Sequence, residues 1–268
     1  MRYEFPKRMV EHATKGWAEE GEAWLKELPD ILDRCCEKWE LTLGDTSEEI
    51  KANYIGYATG ADGEDVVLKV GVPHRDFSTE MEALAIYDGR GINRLIDRDV
   101  ELNAMLLERI RPGRMLSSIA DKKAQATAAA HIMVDLQTVP PPSGHTLPHF
   151  LEWVEGSHED AKDCDDAERA QGYLDQFPRV YAIMKAFEDD PQKLLHGDLH
   201  HYNILEDERR GWIAIDPKGV IGATCLDIGR FSGNTVDGTR SEKRQEVVEA
   251  LEIFASVLVY CPMNSLKN

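Results

Sequence analysis

The sequence predicts an α+β protein in two parts, a small antiparallel-sheet lobe followed by a larger helical lobe. Short strand-like runs at 39–43, 53–58 and 65–72 crowd the first part of the chain. Arg111-Pro112-Gly113 then breaks the pattern. Beyond it, apolar residues recur at helical spacing in long runs. These observations assign residues 1–110 to N-terminal helices and a small lobe, and residues 111–268 to a helical lobe.

The elements follow in order. Residues 6–37 read as helical, with Trp17, Trp24, Leu28, Ile31, Leu32 and Cys35 on one stripe and Pro29 as a point of interruption or a second start. The runs at 53–58 and 65–72 flank ATGADGED, whose Gly and Asp predict a hairpin turn. Residues 78–89 return to helical spacing, with Ser78 as N-cap and Asp88-Gly89 as the stop. Residues 100–110 read as one further strand. Helices follow at 115–138, 148–155 and 168–188, with a Pro-rich loop at 140–144. Two strand-like runs, KLLHGDLHHYNILEDE and GWIAIDPKGV, surround a turn, and residues 241–260 form a last helix.

Composition narrows the function. In a chain of 268 residues the apolar fraction of 42% supports a sizeable core. No apolar run approaches the ~18 residues that span a bilayer. The N-terminus lacks the apolar block and cleavage site of a signal peptide, so the expectation is a cytoplasmic protein. Cys35, Cys36, Cys164, Cys225 and Cys261 fit no zinc pattern and read as free thiols. A net charge of −18 argues against nucleic acid and against an anionic membrane surface as partners, and attracts a cationic small molecule. The charges at 158–166 read as a solvated face.

The chemistry concentrates in His196-Gly197-Asp198-Leu199-His200-His201-Tyr202-Asn203, followed by Ile213-Ala214-Ile215-Asp216. Phosphoryl transfer from ATP needs a carboxylate to orient the attacking hydroxyl and accept its proton. It also needs oxygen ligands for Mg²⁺ that bridge the metal to the phosphates. An Asp with an Asn five residues on, and an Asp closing the next short strand, supply those groups at kinase spacing. His196 reads as a structural hydrogen-bonder, and His200 and His201 as packing or phosphate-contacting side chains rather than metal ligands. Asp227 reads as a helix cap or a brace for the loop.

HGDLHHYNIL with AIDPKG resembles the aminoglycoside phosphotransferase family, in its streptomycin 6-kinase and hydroxyurea kinase branch. GWAEEGEAWLKELPDIL, VVLKVGVP, STEMEALAIYDGRG and LLERIRPG extend the resemblance over most of residues 15–230. It implies a bilobal protein-kinase-like fold, with ATP and Mg²⁺ as cofactors and a small hydroxylated molecule as acceptor. By the same resemblance Asp198 is the catalytic base, and Asn203 and Asp216 are the Mg²⁺ ligands. Lys69 is the lysine of the α- and β-phosphates, and Glu80, preferred over Glu82, is its ion-pair partner. Glu108, Arg109 and Ile110 form the hinge that pairs with adenine, and Gly56 to Gly63 form the loop over the phosphates.

Streptomycin is the leading acceptor on these grounds. Tyr202, an aromatic where the streptomycin kinases carry Asp, brings the loop nearer the hydroxyurea-type pattern. The alternatives are therefore a hydroxyurea or small-metabolite kinase, or a nucleotide-binding protein with little catalysis. A single helical run at 241–260 before PMNSLKN is shorter than the family pattern and predicts an opened acceptor side with less efficient turnover. The sequence leaves the oligomeric state open.

Overall fold

The computed structural model describes residues 3–47, 53–141, 143–162, 167–234 and 239–260. Cys164, Cys261, part of the acidic 158–166 stretch and the final PMNSLKN lie outside them. The chain divides into two compact units, residues 1–89 with 93–111, and residues 90–92 with 112–268.

In the first unit, α1 (Lys7–Lys38) buries Trp24, Leu28, Leu32 and Cys35 along one stripe. Full burial of each Leu contributes about 1.5–3 kcal/mol. The helix is interrupted at Ala18, whose φ is 42°, and it continues through Pro29. Pro29 forfeits one backbone hydrogen bond, and burial of Leu28 and Leu32 on either side offsets that loss. Next come β1 (Thr42–Thr46), β2 (Tyr54–Thr59), β3 (Asp65–Val70), α2 (Arg75–Tyr87), β4 (Leu95–Asp99) and β5 (Ala104–Glu108). The five strands form one antiparallel sheet in the order β1-β2-β3-β5-β4. Leu68 and Val70 of β3, Tyr54 of β2 and Ala104 of β5 share a core with the apolar stripe of α1.

Several boundaries differ from the sequence expectation. The strand expected at 39–43 starts at Thr42, because Trp39 still caps α1 by donating its N–H to Cys35 O. The strand expected at 100–110 is a hairpin instead: β4 precedes a turn at 100–103, and β5 follows. Asn103 turns the chain with φ 49° and donates its side-chain amide to the carbonyls of Gly71 and Val72. The N-cap of α2 is His74, not Ser78; its ring accepts from Asp76 N. The segment Gly56 to Gly63 forms the end of strand β2 and the tight β2–β3 turn, with Gly63 N–H bonded to Gly60 O. The β1–β2 connection lies instead at residues 47–53, partly outside the described residues.

The second unit contains β6 (Pro112–Met115), α3 (Lys122–Gln137), α4 (Phe150–Lys162), α5 (Ala167–Lys185), β7 (Gln192–Leu195), β8 (Ile204–Asp207), β9 (Gly211–Ala214), β10 (Val220–Ala223), α6 (Cys225–Gly233) and α7 (Arg240–Tyr260). The helix expected from residue 115 starts at Lys122, where Asp121 accepts from the N–H groups of Lys123 and Ala124. The two strand-like runs resolve into four strands. β7 pairs antiparallel with β10, and β8 pairs with β9 and with β6. One pair is therefore nested inside the other in sequence. Residues 90–92 join this unit through Ala214 N–H, which donates to Gly91 O at 2.9 Å. Among the described residues no helix is long and apolar enough to cross a membrane.

Candidate active site

Nesting of the strand pairs decides where the motif residues go. The chain leaves β7, runs through residues 196–203 and enters β8; it leaves β9, runs through 215–219 and enters β10. Because β7 pairs with β10 and β8 with β9, the two connections lie side by side. Hydrogen bonds fasten them together. Ile215 N–H donates to Asn203 O at 2.9 Å, and Lys218 N–H donates to His196 O at 2.6 Å. Asp198, Asn203 and Asp216 therefore stand on adjoining loops.

Each residue of the first loop has a job that its chemistry explains. Gly197 has φ 79°, and a Cβ there would lie 3.0 Å from Lys218 Cβ and Val220 Cγ2. Only glycine meets both the backbone angle and the space. His196 is fully buried. Its Nδ1 accepts from Asp198 N at 3.2 Å and its Nε2 donates to Ile215 O at 2.9 Å. That pattern requires the neutral ring, and burial pushes its pKa down to about 4. It spans the two connections, consistent with the hydrogen-bonding role expected of it.

Asp227, on α6, accepts from His196 N and Gly197 N, each at 2.8 Å. Of the two roles the sequence leaves open, it has the second: it braces the loop. Burial raises its carboxyl to about 6 against the pull of those two donors. His201 packs its ring on Phe231 with centroids 4.2 Å apart, and burial pushes its pKa down to about 4. It is a packing residue. Tyr202 is exposed.

Asp198 is partly exposed and carries two cationic or dipolar neighbours. Arg230 Nε donates to Oδ1 at 2.8 Å, and His200 Nε2 lies 3.7 Å from Oδ2. His200 Nδ1 accepts from Tyr202 N at 3.2 Å, which places the ring proton of the neutral tautomer on Nε2, toward Asp198. At 3.7 Å the histidine is beyond hydrogen-bond distance, so Oδ2 keeps its capacity to accept. The Arg230 contact was not anticipated from sequence. Arginine three residues after Asp227 on a helix, hence on the same face, is the signal that would have found it.

Asn203 donates Nδ2 to the carbonyl of Asp198 at 3.1 Å, which turns its Oδ1 to the other side of the amide. Asp216 has φ 57°, a left-handed conformation that aspartate tolerates better than most residues. Among the described residues no group of three or more His, Cys, Asp or Glu is placed to hold a metal. One amide oxygen and one carboxylate do fit Mg²⁺, which is bound by one or two protein oxygens together with phosphates and water.

The first unit holds its own polar centre. Lys69, 2% exposed, lies in β3, and Glu80, 6% exposed, lies in α2. Lys69 Nζ meets Glu80 Oε1 at 2.5 Å. Glu80, rather than Glu82, is the partner, because it sits on the buried face of α2. Glu108 accepts from Arg94 N at 2.6 Å and donates its own N–H to Arg94 O at 3.0 Å. Its N–H is thus committed within the sheet. Arg109 places its guanidinium 3.9 Å from the centroid of the Tyr57 ring. Ile110 follows it, two residues before the start of β6.

The sequence model of the aminoglycoside/hydroxyurea antibiotic resistance kinases matches residues 49–259. The chain belongs to that family. It is a kinase, a phosphotransferase by kinship. The streptomycin 6-kinase of Streptomyces griseus is 29% identical over 228 residues, which is 83% of this chain and 72% of that protein. The hydroxyurea phosphotransferase of Kitasatospora aureofaciens is 30% identical over 223 residues, 82% of this chain and 65% of that protein. Among solved structures, choline kinase from Cryptosporidium parvum Iowa II superposes with a TM-score of 0.62 at 14% identity, covering 86% of this chain and 78% of that one. The fold is protein-kinase-like, α+β, as the motifs implied.

Proposed function

We propose that the chain transfers the γ-phosphoryl group of Mg²⁺-ATP to a hydroxyl of a small antibiotic acceptor, with streptomycin as the first candidate. One observation carries the reading: Asp198, Asn203 and Asp216 stand on two adjoining loops fastened by backbone hydrogen bonds. In this reading Asp198 is the base. Its Oδ2 accepts the acceptor hydroxyl and takes its proton as the oxygen attacks phosphorus. Asn203 Oδ1 and the Asp216 carboxylate hold the metal, which when bound neutralises charge on the phosphate oxygens. Lys69, oriented by Glu80, contacts the α- and β-phosphates. Glu108, Arg109 and Ile110 border the adenine; with the Glu108 N–H committed to Arg94, the later residues of the three supply the pairing groups. Catalysis then rests on positioning and electrostatics rather than on a covalent intermediate.

The net charge of −18 favours a cationic acceptor. A hydroxyurea-type acceptor is the second reading, supported by the comparable similarity to a hydroxyurea phosphotransferase and by exposed Tyr202 within the loop. A catalytically idle nucleotide binder accords poorly with the loop geometry, since Asp198, Asn203 and Asp216 are all held in place. ADP release measured with streptomycin, hydroxyurea and neutral polyols separates these readings. Turnover of streptomycin supports the first. Turnover of neutral compounds alone refutes the aminoglycoside assignment.

A further inference from the structure

Helix α6 touches the 196–203 loop at three successive places. Asp227 takes the N–H groups of His196 and Gly197, Arg230 takes Asp198 Oδ1, and Phe231 stacks on His201. The spacing 227, 230, 231 is the i, i+3, i+4 face of one helix. The first and last of these contacts hold the backbone and a flanking ring. The middle one alone reaches the carboxylate.

We propose that Arg230 is a positioning residue for Asp198, fixing the rotamer of its carboxylate so that Oδ1 is occupied and Oδ2 is left for the acceptor hydroxyl. An aspartate carboxylate on a loop turns freely about a broad terminal torsion. The Nε–H bond at 2.8 Å removes that freedom at one oxygen. On the other side His200 Nε2 stands at 3.7 Å from Oδ2, too far to consume a lone pair. The inference rests on the reading of Asp198 as the base.

The side chains of Arg230 and Asp198 are 42% and 26% exposed. A pair this open to water adds little to stability, so its removal leaves the fold standing and exposes the kinetic role. The expected result for Arg230→Ala in the full-length protein, assayed with ATP and streptomycin or hydroxyurea, is a kcat about 10–100-fold lower, as for a misplaced catalytic group. KM for ATP and for the acceptor stays within about twofold, because neither contact in the ground state is removed. Arg230→Lys retains an intermediate rate, since an ammonium lacks the fixed planar donors of guanidinium. Millimolar guanidinium ion restores rate to Arg230→Ala in a saturable way and does nothing for Asp198→Ala. Three results overturn the inference while leaving the function intact, provided Asp198→Ala is inactive. These are an Arg230→Ala variant as fast as wild type, a lowered kcat that guanidinium leaves unchanged, or a lowered kcat explained by a collapsed melting temperature. An Asp198→Ala variant as active as wild type overturns the base assignment itself, and the inference with it.

Discussion

Substituting Gly197 by alanine tests the loop architecture at its tightest point. The backbone there has φ 79°, and the added methyl would sit 3.0 Å from both Lys218 Cβ and Val220 Cγ2. Two separate effects add. The left-handed conformation costs a non-glycine residue about 1–2 kcal/mol. The forced contact, against a β-carbon and the buried Val220, adds about 1–3 kcal/mol of overpacking. Gly211, the first residue of β9, provides the control. Its φ is 76°, and nothing lies within 4 Å of the position a Cβ would take. Gly211→Ala therefore pays only the conformational part. Urea unfolding of both variants at neutral pH should show Gly197→Ala to be the less stable by about 1–3 kcal/mol, with unchanged m-values. Turnover should fall in Gly197→Ala as well, because the Gly197 N–H bond to Asp227 holds the segment that carries Asp198. Equal unfolding midpoints for the two variants would refute the packing argument, and with it the claim that this turn is sterically specified.

The remaining predictions concern the polar centres. Lys69→Ala should raise the Kd for ATP by about tenfold or more, the loss of one charge-assisted contact worth ~1.5–3 kcal/mol; calorimetric titration with ATP measures it, and an unchanged Kd would show the phosphate lysine to be misassigned. Asn203→Ala should raise the Mg²⁺ concentration for half-maximal rate by about tenfold or more, as loss of a metal-site group does; a rate curve against Mg²⁺ that superposes on wild type contradicts the ligand role. His201, held near a pKa of about 4 by burial, stays neutral in the folded protein while the unfolded chain protonates near 6.5. The unfolded state thus binds more protons in that window, so stability contributed here is complete above pH 6.5 and is lost as pH falls toward about 4. His201→Phe keeps the stack on Phe231 and cannot protonate. Its melting temperature should therefore fall less between pH 6.5 and about 4 than that of wild type, by the equivalent of roughly 1–3 kcal/mol; parallel curves would rule out His201 as a source of the acid sensitivity.

Much of this organisation was legible in the residues, and the parts that were not have physical reasons. The H-G-D and I-D runs could be read because phosphoryl transfer leaves little choice of residue type. The Lys69–Glu80 pair was legible through the family resemblance, supported by the need of a lysine inside an apolar strand for an acid nearby. Boundaries were harder. VELNAMLLERI looks like one strand, yet it contains a hairpin turn at Asn103, whose side chain bonds the backbone of residues 71 and 72. No local pattern announces a partner so distant in sequence. The same holds for residues 90–92, which join the second unit through Ala214, whereas His74 displaces Ser78 as helix cap through a bond only two residues away. The hairpin between the runs at 53–58 and 65–72 was legible from the Gly and Asp residues between them, and β2 and β3 pair as that turn implies. Arg230 was missed because an arginine on an amphipathic helix is usually a solvated one.

The most direct test is a comparison of wild type with Asp198→Ala, each with Mg²⁺, ATP labelled in the γ-phosphoryl group, and streptomycin or hydroxyurea in turn, following label on the acceptor. The account predicts acceptor phosphorylation by the wild type that depends on Mg²⁺, and a rate lower by about a hundredfold or more in the variant, as loss of a general base entails. Label on the acceptor at equal rates in the two proteins would contradict it.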